Sequence, residues 1–154
     1  MKNDTIVIGC DDAAVDMKNK IIALLKAKNI KVEDVGVFGS EDSIYYPLVA
    51  KKVCEEIISS GYKKDGILIC GTGIGMAMTA NKFKGIRAAV CHDNFSAERS
   101  RLSNDANVLC MGARVIGIEL AKKITTEWIS LDFVDGNSTP KVNAIKDIDA
   151  ANFC

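Results

Sequence analysis

Residues 66–78, "GILICGTGIGMAM", decide how this chain folds. An apolar run ends at Cys70, three glycines and a threonine follow within five residues, and a helical pattern then begins. That order is a buried strand opening through a glycine turn into a helix. Such a turn exposes several backbone N–H groups, and the helix beyond it adds positive potential. It can hold a phosphate, or an oxyanion that forms only during a reaction. The stretch is neither a dinucleotide fingerprint, because residue 76 is Met where GxGxxG needs glycine, nor a GxxxxGK[ST] loop. The plain alternative is a tight turn that needs glycine for its shape alone.

Working outward, the other strand-like runs are "TIVIGC" (5–10), "KVEDVG" (31–36), "IRAAVC" (86–91) and "NVLCMG" (107–112). Helical spacing fills the gaps at 13–28, 46–60, 74–83, 95–103 and 117–130, with Pro47 suited to a first turn. Alternating strand and helix predicts an α/β fold: a five-stranded parallel sheet with helices on both faces. "GILIC" and "IRAAVC" are apolar throughout, as central strands of such a sheet are. Open sheets of this kind bind ligands beyond the carboxyl ends of their strands. Three segments leave strands there with polar or glycine residues: "GCDD" (9–12), "CGTGIG" (70–75) and "CHDN" (91–94). The last stretch, 135–149, reads as a turn and a short helix. The segment 135–154 is expected to reach toward a partner subunit.

The 154 residues suit a single domain, 1–154. Twenty Lys and Arg balance twenty Asp and Glu, so there is no basic field for nucleic acid, and aromatics at 6% offer little for base stacking. No apolar run approaches the roughly 20 residues of a membrane span. A single histidine argues against a Cys–His zinc site, and no metal is expected. Six cysteines lie at 10, 54, 70, 91, 110 and 154, with no CxxC spacing. With no signal-like segment, they predict a reducing, cytoplasmic setting. Cys10, Cys91 and Cys110 close strand-like runs and read as packed thiols. Cys70 reads either as one more packing thiol or as a thiolate at the mouth of a pocket. A thiolate there would take a proton from a carbon next to a carbonyl while the loop amides hold the resulting oxyanion.

"GCDDAAVDMK" (9–18), "GILICGTGIGMAMTANKFKGIRAAVC" (66–91) and "SAERSRLSNDANVLCMGARVIGIELA" (96–121) together resemble the type B ribose-5-phosphate isomerase and galactose-6-phosphate isomerase family. The resemblance runs over nearly the whole chain. It implies a flavodoxin-like three-layer sandwich, a homodimer or a tetramer with shared active sites, and aldose–ketose isomerisation of a phosphorylated sugar without cofactor. Ribose 5-phosphate is the family's default substrate. By that match Cys70 is the base that moves a proton between C1 and C2. Gly71, Thr72, Gly73, Ile74 and Gly75 form the anion hole, and Asp11 binds substrate hydroxyls. Asn104 and Arg114 are expected from the neighbouring subunit, the first to the sugar and the second to the phosphate.

Three departures from the family pattern bear on the substrate. Asp12 stands where ribose-phosphate members usually carry histidine. Ser103 replaces the histidine that opens the furanose ring, and Asn137 and Lys141 stand where two arginines often hold the phosphate. Serine has no group titrating near neutrality, so it is a poor ring opener. Either His92, the lone histidine at the end of "IRAAVC", opens the ring with Asp93 orienting it, or the substrate has no ring. A tetrose 4-phosphate cannot close a furanose because its O4 is esterified, which makes erythrulose 4-phosphate a candidate. Asp12 is expected to meet hydroxyls rather than phosphate, and Lys141 offers a point charge where arginine offers a fork. A six-carbon substrate such as galactose 6-phosphate, a non-catalytic sugar-phosphate binder and a thiol redox protein are the rival readings.

Overall fold

A computed structural model describes residues 3–153; Met1, Lys2 and Cys154 lie outside the described residues. The strands are β1 (Thr5–Cys10), β2 (Lys31–Asp34), β3 (Asp65–Cys70), β4 (Ala88–Val90) and β5 (Val108–Gly112). The helices are α1 (Val15–Ala27), α2 (Tyr46–Ser59), α3 (Ile74–Ala80), α4 (Asn94–Leu102), α5 (Ile118–Ser130) and α6 (Thr139–Asn152), with a short 3-10 turn at Asp12–Ala14. All five strands are parallel, in the order β2-β1-β3-β5-β4.

Side chains alternate across the sheet with the period of two that strands impose. Ile6, Ile8, Ile67, Ile69, Leu109 and Met111 face α1, α4 and α5, where they meet Ile21, Leu25, Ala97 and Trp128. Val7, Leu68, Cys70, Val108 and Cys110 face α2 and α3, against Val53, Ile57 and Met76. Both faces are covered, which is why the central strands read as unbroken apolar runs. The arrangement is flavodoxin-like, with the last two strands exchanged relative to the 2-1-3-4-5 order. The exchange matters for binding. The chain reverses direction across the sheet on both sides of β3, so a crevice opens on each side of its carboxyl end. That end is Cys70.

Two strands are shorter than their apolar runs. β2 is regular only to Asp34; beyond it the Val35 N–H still bonds the Ile8 carbonyl (3.0 Å) and the Val37 N–H the Cys10 carbonyl (2.9 Å), while the Asp34 carboxylate takes the Gly36 N–H (3.0 Å). The same carboxylate receives Lys18 Nζ at 2.7 and 2.8 Å; this lysine is wholly buried and also donates to the Val37 carbonyl at 2.8 Å. β4 starts at Ala88, since the Arg87 N–H goes to the Asn107 side chain (2.8 Å) and its guanidinium pairs with Asp105 at 3.0 Å. The tail differs in length from its expectation. α6 runs for 14 residues and is pinned near the amino end of the sheet, by Lys146 to Asp105 (3.0 Å) and by the Gly85 N–H to Asp149 (2.8 Å).

The glycine loop after β3 crosses the end of β5 at backbone contact. Gly73 has φ +77°, and a Cβ there would lie 2.9–3.1 Å from the Met111 backbone. A Cβ on Gly112 would lie 2.7–2.8 Å from the Thr72 backbone. Cys70 and Gly112 are register partners, so the crossing sits directly on the strand end that carries the cysteine. Gly112→Ala should therefore destabilise the fold by roughly 1–3 kcal/mol, the range for forcing atoms into a packed site. Gly71→Ala, whose nearest neighbour would be the movable Arg114 side chain at 3.5 Å, should cost under about 1 kcal/mol. Urea unfolding midpoints of the two variants measure the difference.

Candidate active site

Cys70 ends β3 with its side chain toward α2 and α3. An open thiol was the expectation; the residue is 5% exposed, enclosed by the loop that follows it. Its Sγ receives the Gly73 N–H at 3.0 Å. The enclosure follows from the crossing: Gly73 must lie over β5, and that placement brings its N–H onto the sulfur. The other described cysteines are also buried. Burial pushes the Cys10 and Cys54 thiols up to about 12 and raises those of Cys91 and Cys110 as well. These four are packing thiols.

The loop amides are partly committed to the loop itself. Gly73 N–H goes to Cys70 and Ile74 N–H to Thr72 Oγ1 at a long 3.3 Å. The last of these is weak enough to be exchanged for a better acceptor. Thr72 and Ile74 are exposed, Gly73 is buried and Gly75 lies between those extremes. A side chain outside every sequence motif closes the loop from outside. The Tyr46 ring fills the space that a Cβ on Gly75 would need, 2.5–2.7 Å from that position. Tyr46 opens α2, and nothing in its own "YYP" context links it to residue 75.

Asp11 leaves β1 beside the same loop. Its N–H bonds the Ile69 carbonyl (3.1 Å) and its Oδ1 accepts the Ala13 N–H (3.1 Å). Burial holds its carboxyl above the usual range, Asp12 adds to the rise, and the Ala13 N–H and the Arg114 charge oppose it. Asp12 is the exposed neighbour on the 3-10 turn. Arg114 corrects the sequence reading. It was expected from a neighbouring subunit, but it sits on its own chain's loop: its N–H bonds the Gly71 carbonyl at 3.0 Å and its side chain lies 3.5–3.7 Å from the Cβ position of Gly71. The turn after β5 makes this possible, because Ala113 N–H bonds the Cys70 carbonyl (2.8 Å) and carries the next residue across the strand end.

His92 lies at this edge too. Its Nε2 accepts the Gly112 N–H at 2.9 Å. Asp93 does not orient the ring: its carboxylate caps α4 through the Ser96 N–H (2.7 Å) and hydroxyl (2.6 Å).

The remaining expected residues are elsewhere. α4 runs back from the carboxyl edge to the amino edge, so Ser103 and Asn104, at its end, precede the start of β5. Ser103 Oγ accepts both Nε (3.0 Å) and Nη2 of Arg99, whose Nη1 meets Glu98 at 3.1 Å. A hydroxyl oxygen has two lone pairs, so Ser103 is left only its proton to offer. Asn104 lines a groove of about 650 Å³ between β4 and α6, with Ala88, Ile145 and Ile148. Asn137 and Lys141 are exposed at the start of α6. The residues flanking them, Asp135 and Asn143, line a cavity beside Asp65 and Asn107, the first ends of β3 and β5. A six-residue strand spans roughly 17–20 Å, so one chain cannot bring these four residues to its own Cys70. The structure thus gathers Asp11, Asp12, Cys70 to Gly75, His92 and Arg114 at one edge. It leaves Ser103, Asn104, Asn137 and Lys141 at the other.

Comparison with known proteins places this geometry. The ribose/galactose isomerase family profile matches residues 6–145. A ribose-5-P isomerase B of Listeria innocua is 50% identical over 147 residues, covering 96% of this chain and 98% of that protein. A D-erythrulose-4-phosphate isomerase of Pectobacterium atrosepticum is 48% identical over 141 residues, 92% of each. The structure of ribose-5-phosphate isomerase B from Mycoplasma genitalium with bound ribulose-5-phosphate superposes with a TM-score of 0.90 at 32% identity, covering 95% of this chain and 96% of that one. The fold is shared with ribose-5-phosphate isomerase B structures, and the chain belongs to the ribose/galactose isomerase family.

Proposed function

We propose that the chain interconverts aldose and ketose forms of a four-carbon sugar phosphate, such as erythrulose 4-phosphate, with Cys70 as the proton carrier. Family membership supports the reaction class. Cys70, as thiolate, takes the proton from the carbon beside the carbonyl. The electron pair moves onto the carbonyl oxygen, giving an enediolate, and the thiol returns the proton to the neighbouring carbon while the hydroxyl proton passes between the two oxygens. The Gly73 N–H aimed at the sulfur steadies negative charge there, as charge-assisted bonds do. The loop amides from Gly71 to Gly75 hold the enediolate oxygen, with substrate displacing the long bond from Ile74 to Thr72. Asp11 and Asp12 bind hydroxyls. Arg114, the cation at the loop, binds phosphate.

Substrate length rests on one observation: the acceptor atoms of both candidate ring openers are engaged. Ser103 Oγ is held by Arg99 and has no lone pair left to take a proton. His92 Nε2 is held by the Gly112 N–H. A four-carbon 4-phosphate has no furanose to open and needs neither. The erythrulose-phosphate relative supports this reading, and the ribose-phosphate relative keeps ribose 5-phosphate as the comparison substrate. The edge-to-edge separation supports a site shared between two copies, with Ser103, Asn104, Asn137 and Lys141 supplied by the second.

Turnover of erythrulose 4-phosphate, ribose 5-phosphate and galactose 6-phosphate, measured side by side, tests the reading. Erythrulose 4-phosphate should lead in kcat/KM by about 100-fold or more, the usual worth of a missing acid–base group. Ribose 5-phosphate turned over equally well would remove the four-carbon assignment, and turnover of none of the three would leave a binding protein. Sharing is tested separately. Cys70→Ala chains and Asn104→Ala chains, each impaired alone, should regain activity when refolded as a mixture, and no recovery would contradict a shared site.

A further inference from the structure

β5 outlasts β4. The register pairs Val90 with Cys110, and one further rung forms from the Cys91 N–H to the Cys110 carbonyl at 3.1 Å. Backbone groups along a strand point alternately to its two neighbours. Ala113 bonds toward β3, through its N–H to the Cys70 carbonyl. Gly112 therefore points toward β4, where no strand remains, and a buried N–H without an acceptor is costly. The His92 side chain folds back and supplies the missing acceptor at 2.9 Å.

Gly112 is also where three parts of the site are joined. Its Cα lies against the Thr72 backbone. Its carbonyl accepts the N–H groups of Val115 (3.0 Å) and Ile116 (3.2 Å), closing the turn that carries Arg114. Its register partner is Cys70. We propose that His92 is a positioning residue for the isomerase site: by accepting the Gly112 N–H it holds the end of β5 under the glycine loop, and it does so as neutral imidazole with its proton on Nδ1. It moves no proton to or from substrate through Nε2. Protonation of Nε2 sets a donor against the Gly112 donor and breaks the bond. Among the described residues the titratable groups at this edge are Asp93 at the head of α4, Cys70 on β3, Asp11 and Arg114 beside Gly71, and the exposed Asp12 on the 3-10 turn after β1. Asp93 is held below the usual carboxylate range by its Ser96 bonds, so it stays charged while the histidine titrates.

The kinetic tests rest on the isomerase reading; the test on ligand-free protein does not. Kinetics of the wild type, His92→Ala, His92→Gln and His92→Asn are measured with erythrulose 4-phosphate and ribose 5-phosphate over roughly pH 5 to 8, where histidine changes charge. His92→Ala should lower kcat about tenfold or more, the worth of an orphaned buried donor. His92→Gln places an uncharged amide oxygen near the Nε2 position and should recover most of that loss; the shorter Asn should not. The wild type should lose turnover on the acid side, and the Gln variant should lack that fall. In ligand-free protein, 15N spectra should show Nε2 unprotonated at neutral pH, and the Gly112 amide signal should move as the ring titrates. A Gln variant as slow as Ala but equally folded, an Ala variant with wild-type kcat, or a proton on Nε2 at neutral pH would each overturn the proposal. If Ala does not fold, the Gln and Asn variants and the ring spectra still decide. If neither sugar phosphate is turned over, the isomerase reading fails while the spectra still report on the bond.

Discussion

The structure depends on one crossing of backbone over backbone. The loop after β3 passes over the end of β5 so closely that neither Gly73 nor Gly112 has room for a Cβ. From that contact the rest of the site follows. Gly73 over Met111 sets its N–H on the Cys70 sulfur. Gly112 under Thr72 fixes where β5 ends, and the turn after it lays Arg114 on Gly71. A packed interior transmits such placements because it has little slack. The glycines are therefore needed twice, once for the turn's conformation and once for the approach of two chains.

The crossing also explains why the thiol is enclosed. A loop drawn down onto β5 covers the strand end beneath it. An enclosed sulfur is shielded from bulk water. The separation of Ser103, Asn104, Asn137 and Lys141 from Cys70 is a matter of topology: α4 ends, and α6 is pinned, at the edge where strands begin. Charge is distributed accordingly, with Arg114 at the carboxyl edge and Lys141 on the element pinned at the amino edge.

Much of this was legible in the sequence, and the limits have physical causes. "GILIC" read as a central strand because both sheet faces over it are covered; "IRAAVC" read the same way, but it forms the short β4 at the edge of the sheet, where it is only half-buried. The glycine loop was legible because Gly73, with its positive φ and the Met111 backbone against it, has no room for a side chain. The short lengths of β2 and β4 were not, since side chains of Asp34 and Asn107 bind the Gly36 and Arg87 N–H groups at the strand limits. Lys18 was invisible as a buried residue: its partners, Asp34 at the end of β2 and Val37 in the loop beyond, lie 16 and 19 residues away. Tyr46 and Gly112 were missed for the same reason, because long-range contact leaves no local periodicity. Arg114 was placed on the wrong subunit by resemblance. The short turn from Gly112 to Ile116, readable only in three dimensions, keeps it on its own chain. The role of Ser103 was legible as a loss of basicity, but its capture by Arg99 was not.

Proton transfer through the sulfur at the crossing is the central claim. It is tested most directly by incubating the protein with erythrulose 4-phosphate in deuterium oxide and following deuterium at C1 and C2, in the wild type and in Cys70→Ala. The account predicts exchange in the wild type and none above background in the variant, with the sugar phosphate still bound. Undiminished exchange in the variant would contradict it.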